Sequence, residues 1–308
     1  HGEGRLEAQA ILLAFGVRGT PRSARLIGGD RPWGVVTTGA LQQFVYLQKI
    51  RPFRRAVIIG SELVAFSALL TLRHGGIAAA AMIEEGPRIT ARRPADVLAR
   101  LALGVPVLTG ARLIAIHGLG KVEAVEIERQ GKRERIACDG IVFTGRFRPE
   151  TGILAGSHIA LDPGTGGPAI DQYWRSSDPR IFVAGNLLHP VETAGVAWAE
   201  GRAAGEAIAA HLAGRLPAAA PAFAVTVKPP LRYVYPQRLV APVAGLSPLL
   251  LKARAERAAR GRLRLMAEGR EIWSRPMRLL PERRISLPAD RLPREGVTSI
   301  RVEFEEER

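Results

Sequence analysis

The sequence predicts an α/β fold: two Rossmann-like dinucleotide-binding domains followed by a small C-terminal antiparallel β domain. Residues 55–85 run as strand, glycine turn, helix and strand. Residues 181–212 contain a second apolar run that ends in glycine and leads into a helix of small residues. From residue 233 onwards, apolar and polar side chains alternate in short runs separated by turns, as in antiparallel strands with one buried face.

The segment 55–85, RAVIIGSELVAFSALLTLRHGGIAAAAMIEE, has the layout of a nucleotide-binding βαβ unit. Its first apolar run ends at Gly60, which makes Gly60 a candidate cofactor-binding residue. Leucine and phenylalanine then recur at helical spacing until Gly75-Gly76. The second apolar run ends at Glu84 and Glu85, where such units place the acid that accepts the ribose hydroxyls. Glu84 is the candidate for that role.

The glycine turn departs from G-x-G-x-x-G/A at its second position, which is Glu62. That glycine is normally bare so that the backbone can approach a pyrophosphate at the helix N-terminus. A carboxylate ~4 Å from a phosphate costs roughly 4 kcal/mol per unit charge at an effective dielectric of about 20. Glu62 can instead cap its own helix. We therefore expect NADH to bind weakly or not at all and, if NAD(P) binds, NAD to be preferred over NADP.

Composition narrows the functional classes. A single cysteine, Cys138, excludes a disulfide framework, a CxxC redox pair and a cysteine-ligated iron–sulfur cluster. The net charge of +15 comes mainly from scattered arginines, without a basic stripe carrying interleaved aromatics, so no nucleic-acid function is predicted. A positively charged cleft for phosphates or carboxylates is compatible with the same charge. No signal peptide or membrane-spanning run is predicted, no metal site is expected, and the cytoplasm is the expected compartment.

The remaining segments supply further strands and helices for the predicted domains. Residues 6–17 read as a strand that ends at Gly16, and residues 40–49 as a helix. A predicted helix at 94–103 is followed by a short strand at 105–108. Three antiparallel strands at 113–117, 122–129 and 135–143 then form a meander. The predicted domains are therefore 1–50 with 146–213, then 51–145, then 222–308, with 214–224 as a linker.

The helix that follows Gly185-Asn186 begins near Thr193 with small side chains. Ala194 and Gly195 leave its N-terminal face bare, so its amides can reach a ligand. Close helix packing is the alternative reason for small residues at such a position.

Together these segments resemble the pyridine nucleotide–disulfide oxidoreductase superfamily of flavoproteins. The likeness covers residues ~6–212 and is closest to the FAD subunits of hydrogen cyanide synthase, opine oxidase and amino-acid dehydrogenase complexes. Ala14-Phe15-Gly16 stands where the family has A-T-G, and Thr144-Gly145 resembles a second such strand end. Gly185-Asn186 stands where the family has G-D, whose acid holds a ribityl hydroxyl of FAD. The helix from Thr193 resembles the one that faces the flavin.

The resemblance implies FAD as cofactor, with candidate binding residues at these places in the motifs: Ala14, Gly16, Gly185, Asn186, Thr193, Ala194 and Gly195. The departures are Phe15 for threonine, Glu62 for glycine and Asn186 for the acid. The family's N-terminal G-x-G-x-x-G, which holds the FAD diphosphate, is missing. A fragment, a second chain that supplies this half, or a protein without FAD would each explain the gap. We favour the fragment and expect residues 1–308 alone to purify without FAD.

The resemblance implies an FAD-dependent oxidoreductase subunit that oxidises a small amine, amino acid or opine-like substrate, with a second oxidoreductase subunit as a candidate partner. The alternative is a non-catalytic scaffold of degenerate flavoprotein fold. No general base can be named; His189 lies nearest the predicted flavin strand end. The family's iron–sulfur module is excluded in the C-terminal domain, whose arginines form either a solvated face or a docking surface for a partner.

Overall fold

A computed structural model describes residues 4, 6–91, 97, 103–190, 192–220, 222–243, 245–246, 250–288, 292 and 298–307. The chain forms two compact units, one of residues 1–17 with 148–308 and the other of residues 18–147. The predicted helix at 94–103 lies outside the described residues except for Val97 and Leu103. None of the described helices is both long and apolar enough to cross a membrane.

Strands outnumber helices among the described residues. The helices are α1 (Thr38–Gln42), which continues as a π-helical turn at Gln43–Leu47, α2 (Leu63–His74) and α3 (Ala194–Leu212). The strands before residue 150 are β1 (Ile11–Leu13), β2 (Val17–Gly19), β3 (Gly28–Gly29), β4 (Val35–Thr37), β5 (Arg55–Ile59), β6 (Ala78–Glu84), β7 (Val107–Thr109), β8 (Ala111–His117), β9 (Ala124–Arg129), β10 (Lys132–Ala137), β11 (Gly140–Phe143) and β12 (Phe147–Pro149). The later strands are β13 (Ile181–Val183), β14 (Phe223–Val227), β15 (Leu231–Tyr235), β16 (Arg238–Leu239), β17 (Lys252–Ala255), β18 (Ala259–Ala267), β19 (Arg270–Leu279), β20 (Ile285–Ser286) and β21 (Ser299–Glu306).

A five-stranded parallel sheet in the order β4-β11-β5-β6-β7 forms the centre of the unit of residues 18–147. The helices α1 and α2 pack on one face, where Leu41 and Leu72 are fully buried. The second sheet, β10-β9-β8-β3, covers the other face through Ile116 and Ile127. Because both faces are covered, the central strands are continuous apolar runs rather than alternating ones.

The boundary of this unit differs from the predicted one. Residues 18–50 were expected to belong with the flavin-like domain, but they lie in the same unit as 51–145. The reason is that β4 extends the parallel sheet beside β11 and α1 packs against α2. The short strand β3 likewise pairs with β8.

In the other unit, β1 and β13 form a two-stranded parallel sheet, with Ile11 opposite Ile181 and Leu13 opposite Val183. Both strands come from the segments 1–50 and 146–213, which the sequence assigns to one domain, and they lie in one sheet. Buried side chains of β13 pack with α3 and with Tyr233 and Tyr235 of β15.

The C-terminal residues form a small β domain, as predicted, and its two sheets pack as a β sandwich. A five-stranded sheet in the order β16-β14-β21-β18-β19 and a three-stranded sheet in the order β15-β17-β20 enclose one apolar core. The strand β14 precedes the alternating runs that were predicted from residue 233 onwards, and it pairs parallel with β21 rather than antiparallel. The segment 214–224, predicted as a linker, runs into β14, because Val225 is buried in this core.

Candidate functional site

The crevice of the central parallel sheet lies between the ends of β5 and β11. These strands are neighbours, whereas the connection from β5 through α2 to β6 leads to the other side of β5. Such a reversal of strand order is where open α/β sheets bind ligands. Gly60 follows β5 at this point, and Thr144-Gly145 follows β11. The sequence motifs are thus brought together in space.

Glycine is required at position 60. Its φ is +123°, and an ideal Cβ would lie 2.1 Å from the hydroxyl oxygen of Thr144. That hydroxyl donates a hydrogen bond to the carbonyl of Ile59 at 2.9 Å, so it is held in place. The two strand ends therefore meet with no room for a side chain between them.

The carboxylate of Glu62 covers both glycines of the crevice. An ideal Cβ on Gly60 would lie 2.7 Å from Oε2, and one on Gly145 would lie 2.5 Å from Oε1. Glu62 is the N-cap residue of α2, but its side chain makes no capping hydrogen bond to the helix. It instead accepts a hydrogen bond from the amide of Ser61 at 3.1 Å. The expectation that Glu62 caps the helix through its side chain was wrong, because the carboxylate turns back towards the strand ends.

The Glu62 carboxyl and the Arg25 guanidinium lie close enough to influence one another. Burial raises the pKa of Glu62, against the hydrogen-bonding groups of Thr144 and the nearby backbone. Burial, together with the charge of Arg146, lowers the pKa of Arg25 to about 10, and the charge of Glu62 opposes that change. Arg25 donates hydrogen bonds to the carbonyls of Thr144 at 2.7 Å and Gly145 at 3.1 Å. A cation therefore fixes the β11 end of the crevice.

Glu84, the candidate ribose acceptor, lies at the end of β6 and is engaged by the protein. Its carboxylate accepts hydrogen bonds from the hydroxyl of Ser61 and from the amide of Gly86, the latter at 2.8 Å. The same Ser61 hydroxyl accepts from the amide of Thr90 at 2.9 Å. Glu84 thus closes the loop after β6 onto the glycine turn.

The predicted flavin residues lie at the ends of β1 and β13. Gly16 and Gly185 have φ of +75° and +71°, a conformation that favours glycine. The amide of Ala184 donates to the carbonyl of Leu13 at 3.1 Å, which holds the two strand ends side by side beyond the last paired residues. Ala14 and Gly16 therefore lie on the same sheet edge as Gly185.

The side chain of Asn186 is engaged with the backbone. Its Nδ2 donates to the carbonyl of Glu192 at 3.3 Å, and its Oδ1 accepts from the amide of the same residue at 2.9 Å. The carboxylate of Glu192 in turn pairs with Arg254 at 3.0 Å and with Arg284 at 3.2 Å. The turn after β13 is thereby tied to the C-terminal sandwich.

The start of α3 is open. Thr193, Ala194 and Gly195 are all exposed, and Thr193 caps the helix without a side-chain hydrogen bond. No atom lies within 4 Å of an ideal Cβ on Gly195. The first amides of α3 can therefore be approached closely.

His189 is fully buried rather than open to a substrate. Its Nε2 lies 3.1 Å from both carboxylate oxygens of Glu200, and its ring stacks on Tyr235 with centroids 4.0 Å apart. Lys252 reaches the same carboxylate at 3.3 Å. Burial would raise the pKa of Glu200, but the hydrogen bond and charge of His189 and the charge of Lys252 leave it lowered.

Sequence reasoning missed Glu200 and Lys252. The available signal was one acid, Glu200, on a helix side whose other buried residues are alanines. Two further histidines also lie beside acids: His117 pairs with Glu126, and His158 pairs with Asp178.

Comparison with known proteins gives the chain its family. A family model described as pyridine nucleotide-disulphide oxidoreductase matches residues 1–201. Sarcosine oxidase subunit alpha of Rhizobium meliloti (strain 1021) is 28% identical over 224 residues, which are 68% of this chain and 20% of that protein. The chain therefore spans about one fifth of the length of this curated relative.

Solved structures share the fold. Thioredoxin reductase of T. acidophilum aligns with a TM-score of 0.54 at 19% identity, covering 67% of this chain and 66% of that one. A FAD-dependent pyridine nucleotide-disulphide oxidoreductase of Desulfovibrio vulgaris aligns with a TM-score of 0.52 at 20% identity, covering 84% and 67%. At these identities the likeness establishes the fold. Because the family model matches more than half of the chain, the chain belongs to the pyridine nucleotide-disulphide oxidoreductase family.

Proposed function

We propose that this chain forms the flavin-binding part of an FAD-dependent oxidoreductase that oxidises a small amine, amino acid or opine-like substrate. The observation that carries the proposal is the position of Gly16 and Gly185 just beyond the ends of β1 and β13. Both have positive φ, and both follow parallel strands that are neighbours in one sheet. Ligands of α/β sheets bind at this edge.

The residues present fit the flavin end of FAD. Added Cβ atoms on Gly16 and Gly195 would have no neighbour within 4 Å among the described residues. A flat ring system could therefore lie directly against the backbone at these two glycines. The exposed first turn of α3 offers amides and the positive end of a helix dipole. These groups suit the electron-rich pyrimidine edge of a flavin.

The diphosphate end of FAD needs a further element. Residues 1–10, which lie ahead of β1 in this sequence, do not contain the G-x-G-x-x-G turn that holds it in the resembled family. The sheet of β1 and β13 has only two strands among the described residues, and Ile11, Leu12 and Phe15 are 46%, 41% and 44% exposed. Apolar side chains of this kind are normally covered by further strands and helices of a parallel sheet. We propose that another segment or chain covers them and supplies the diphosphate turn.

In the proposed reaction, bound FAD supplies the redox chemistry by accepting two electrons from the substrate. The chain's own residues would bind and orient FAD. The turn at Gly185 and Asn186 would lie beside the ribityl chain, and the first amides of α3 would face the pyrimidine edge of the flavin. Glu192 stabilises that turn in two ways. Its backbone bonds to the side chain of Asn186, and its carboxylate pairs with Arg254 and Arg284 of the sandwich. No residue described is assigned as a general base.

The proposed substrate class and the proposed partner subunit rest on the similarity to one curated relative. The matched Rhizobium meliloti protein is a sarcosine oxidase subunit, which supports an amine or amino-acid substrate and a complex of several subunits. The outer face of the sandwich already pairs many of its arginines with acids, for example Arg264 with Glu271 at 2.6 Å. That pairing favours a solvated face over a docking surface for a partner.

The test compares two identical substitutions on α3 in the full-length protein. Gly195→Glu places a carboxylate at the open helix start, where the dipole stabilises it but the flavin is excluded. Gly205→Glu makes the same change at an exposed position in the middle of the helix, where an added Cβ also meets no atom within 4 Å. We expect the wild type and Gly205→Glu to retain flavin absorption and Gly195→Glu to lose at least about tenfold in flavin content.

A second candidate is a non-catalytic scaffold. It is favoured by the carboxylate of Glu62 in the dinucleotide crevice and by the engagement of Asn186 with Glu192. A folded but colourless full-length wild type would support the scaffold and contradict the oxidoreductase.

A further inference from the structure

The central parallel sheet retains the parts of a dinucleotide site, yet its crevice contains a charge of the protein's own. Gly60 and Gly145 end two neighbouring parallel strands at the reversal of strand order. The first turn of α2 follows directly, and Glu84 ends the next strand. A pyrophosphate bound here would lie at the start of α2, over the bare backbone of the two glycines.

The carboxylate of Glu62 lies in that position. Its oxygens come within 2.5 and 2.7 Å of the places where Cβ atoms of Gly145 and Gly60 would be. It accepts the amide of Ser61 at 3.1 Å, a hydrogen bond of the kind a phosphate oxygen would accept. Its Oε1 is buried and has no hydrogen-bond partner among the described residues.

We infer that Glu62 is a built-in anion that fills the pyrophosphate position, so that residues 18–147 do not accept NAD(H) or NADP(H). This inference concerns the dinucleotide crevice alone and does not depend on whether the chain binds flavin. If the proposed flavin function also holds, the electrons of the flavin come from the substrate and leave by a route other than this crevice.

A structural role for Glu62 would predict a different geometry. A carboxylate retained only for helix stability would accept hydrogen bonds from the first turn of α2, but the Glu62 side chain makes none there. The crevice also keeps a positively charged neighbour: Arg25 donates to both Thr144 and Gly145, and the charge of Glu62 opposes the lowering of its pKa. A carboxylate placed over the two glycines as an anion of the crevice, with Arg25 as a nearby cation, explains both observations.

The experiment is a titration of the 308-residue chain with NADH and NADPH, followed by calorimetry and by nicotinamide fluorescence. Glu62→Gly restores the G-x-G-x-x-A pattern and removes both the charge and the side chain. Glu62→Gln removes the charge and keeps the bulk. Glu134→Gln, at an exposed position of β10 in the same unit, is the matched control for the loss of one negative charge.

We expect no saturable binding to the wild type or to Glu134→Gln at millimolar dinucleotide. Relief of one repulsive charge at ~4 Å corresponds to roughly a thousandfold in affinity at an effective dielectric of about 20. Glu62→Gly should therefore bind NADH with at least a hundredfold gain, and Glu62→Gln with a smaller gain because its side chain still fills the position.

Micromolar binding of either dinucleotide to the wild type would overturn the inference. So would a folded Glu62→Gly that gains no affinity, with folding verified by circular dichroism. If Glu62→Gly does not fold, the affinity of a folded Glu62→Gln decides between the outcomes. The inference then requires that Glu62→Gln bind NADH at least about tenfold more tightly than the wild type. None of these outcomes depends on flavin content, so the proposed flavin function can fail separately.

Discussion

The side chain of Asn186 exchanges two hydrogen bonds with the backbone of Glu192, at 2.9 and 3.3 Å. This pair connects the turn after β13 to the segment that leads into α3. Glu192 extends the connection, because its carboxylate pairs with Arg254 and Arg284. The proposed flavin edge is therefore held in place by the C-terminal sandwich through one acidic residue.

Asn186→Leu should destabilise the protein as well as weaken flavin binding. The substitution removes two hydrogen bonds, each worth roughly 0.5–1.5 kcal/mol net, so a loss of about 1–3 kcal/mol is expected in urea denaturation. Asn186→Asp keeps the acceptor for the Glu192 amide and should lose less. Equal stability of Asn186→Leu and the wild type would show that the contact with Glu192 is not structural.

Glu200→Gln should cost roughly 3–5 kcal/mol of unfolding free energy at neutral pH, because it leaves the buried His189 and the partly buried Lys252 without their carboxylate partner. The pKa of Glu200 is lowered in the fold, so its contribution is present above the ordinary value of 4.5 and is lost as the pH falls through the folded value. The difference from the wild type should therefore shrink in acid. Glu206→Gln, on the exposed side of the same helix, should change stability by less than about 0.5 kcal/mol.

The free energy of unfolding of Glu62→Gln should increase relative to that of the wild type as the pH rises. The pKa of Glu62 is raised by burial, so the wild type gains most from this group below the ordinary value of 4.5 and loses that gain as the pH rises through the folded value. The glutamine variant has no such loss. Parallel stability curves for the two proteins between pH 4 and 8, measured by urea denaturation, would contradict the buried position of this carboxylate.

Gly60→Ala should cost at least twice as much stability as Gly76→Ala. Gly76 has φ of +64° and open space around an added Cβ, so alanine there carries only the left-handed penalty of about 1–2 kcal/mol. Gly60 has φ of +123°, and its Cβ would also collide with the hydroxyl of Thr144. Similar melting temperatures for the two variants would argue against the close contact of the two strand ends.

Local pattern was sufficient for much of the fold. Helical spacing in α2 and apolar runs in β5 and β6 depend on neighbours within the same segment, so they are readable from sequence. The predicted linker at 214–224 overlaps the start of β14, because the Pro- and Ala-rich residues ahead of this strand hide the alternation that buries Val225.

The domain boundary could not be read in this way. Residues 18–50 carry a strand and a helix of ordinary pattern, and nothing local says which sheet the strand joins. Pairing of β4 with β11, more than a hundred residues later, decides it.

The sequence by itself determined that this chain has a glycine turn with an acid in it, a second glycine strand end and a helix that starts with small residues, because each depends on adjacent residue types. Only the tertiary structure decided where the charges go. Glu62 lies over Gly145, and Glu200 meets Lys252 across 52 residues of chain. Such contacts arise from strand order and packing between distant segments. The groups that surround each buried carboxylate then set its pKa: His189 and Lys252 lower the pKa of Glu200, whereas burial raises the pKa of Glu62.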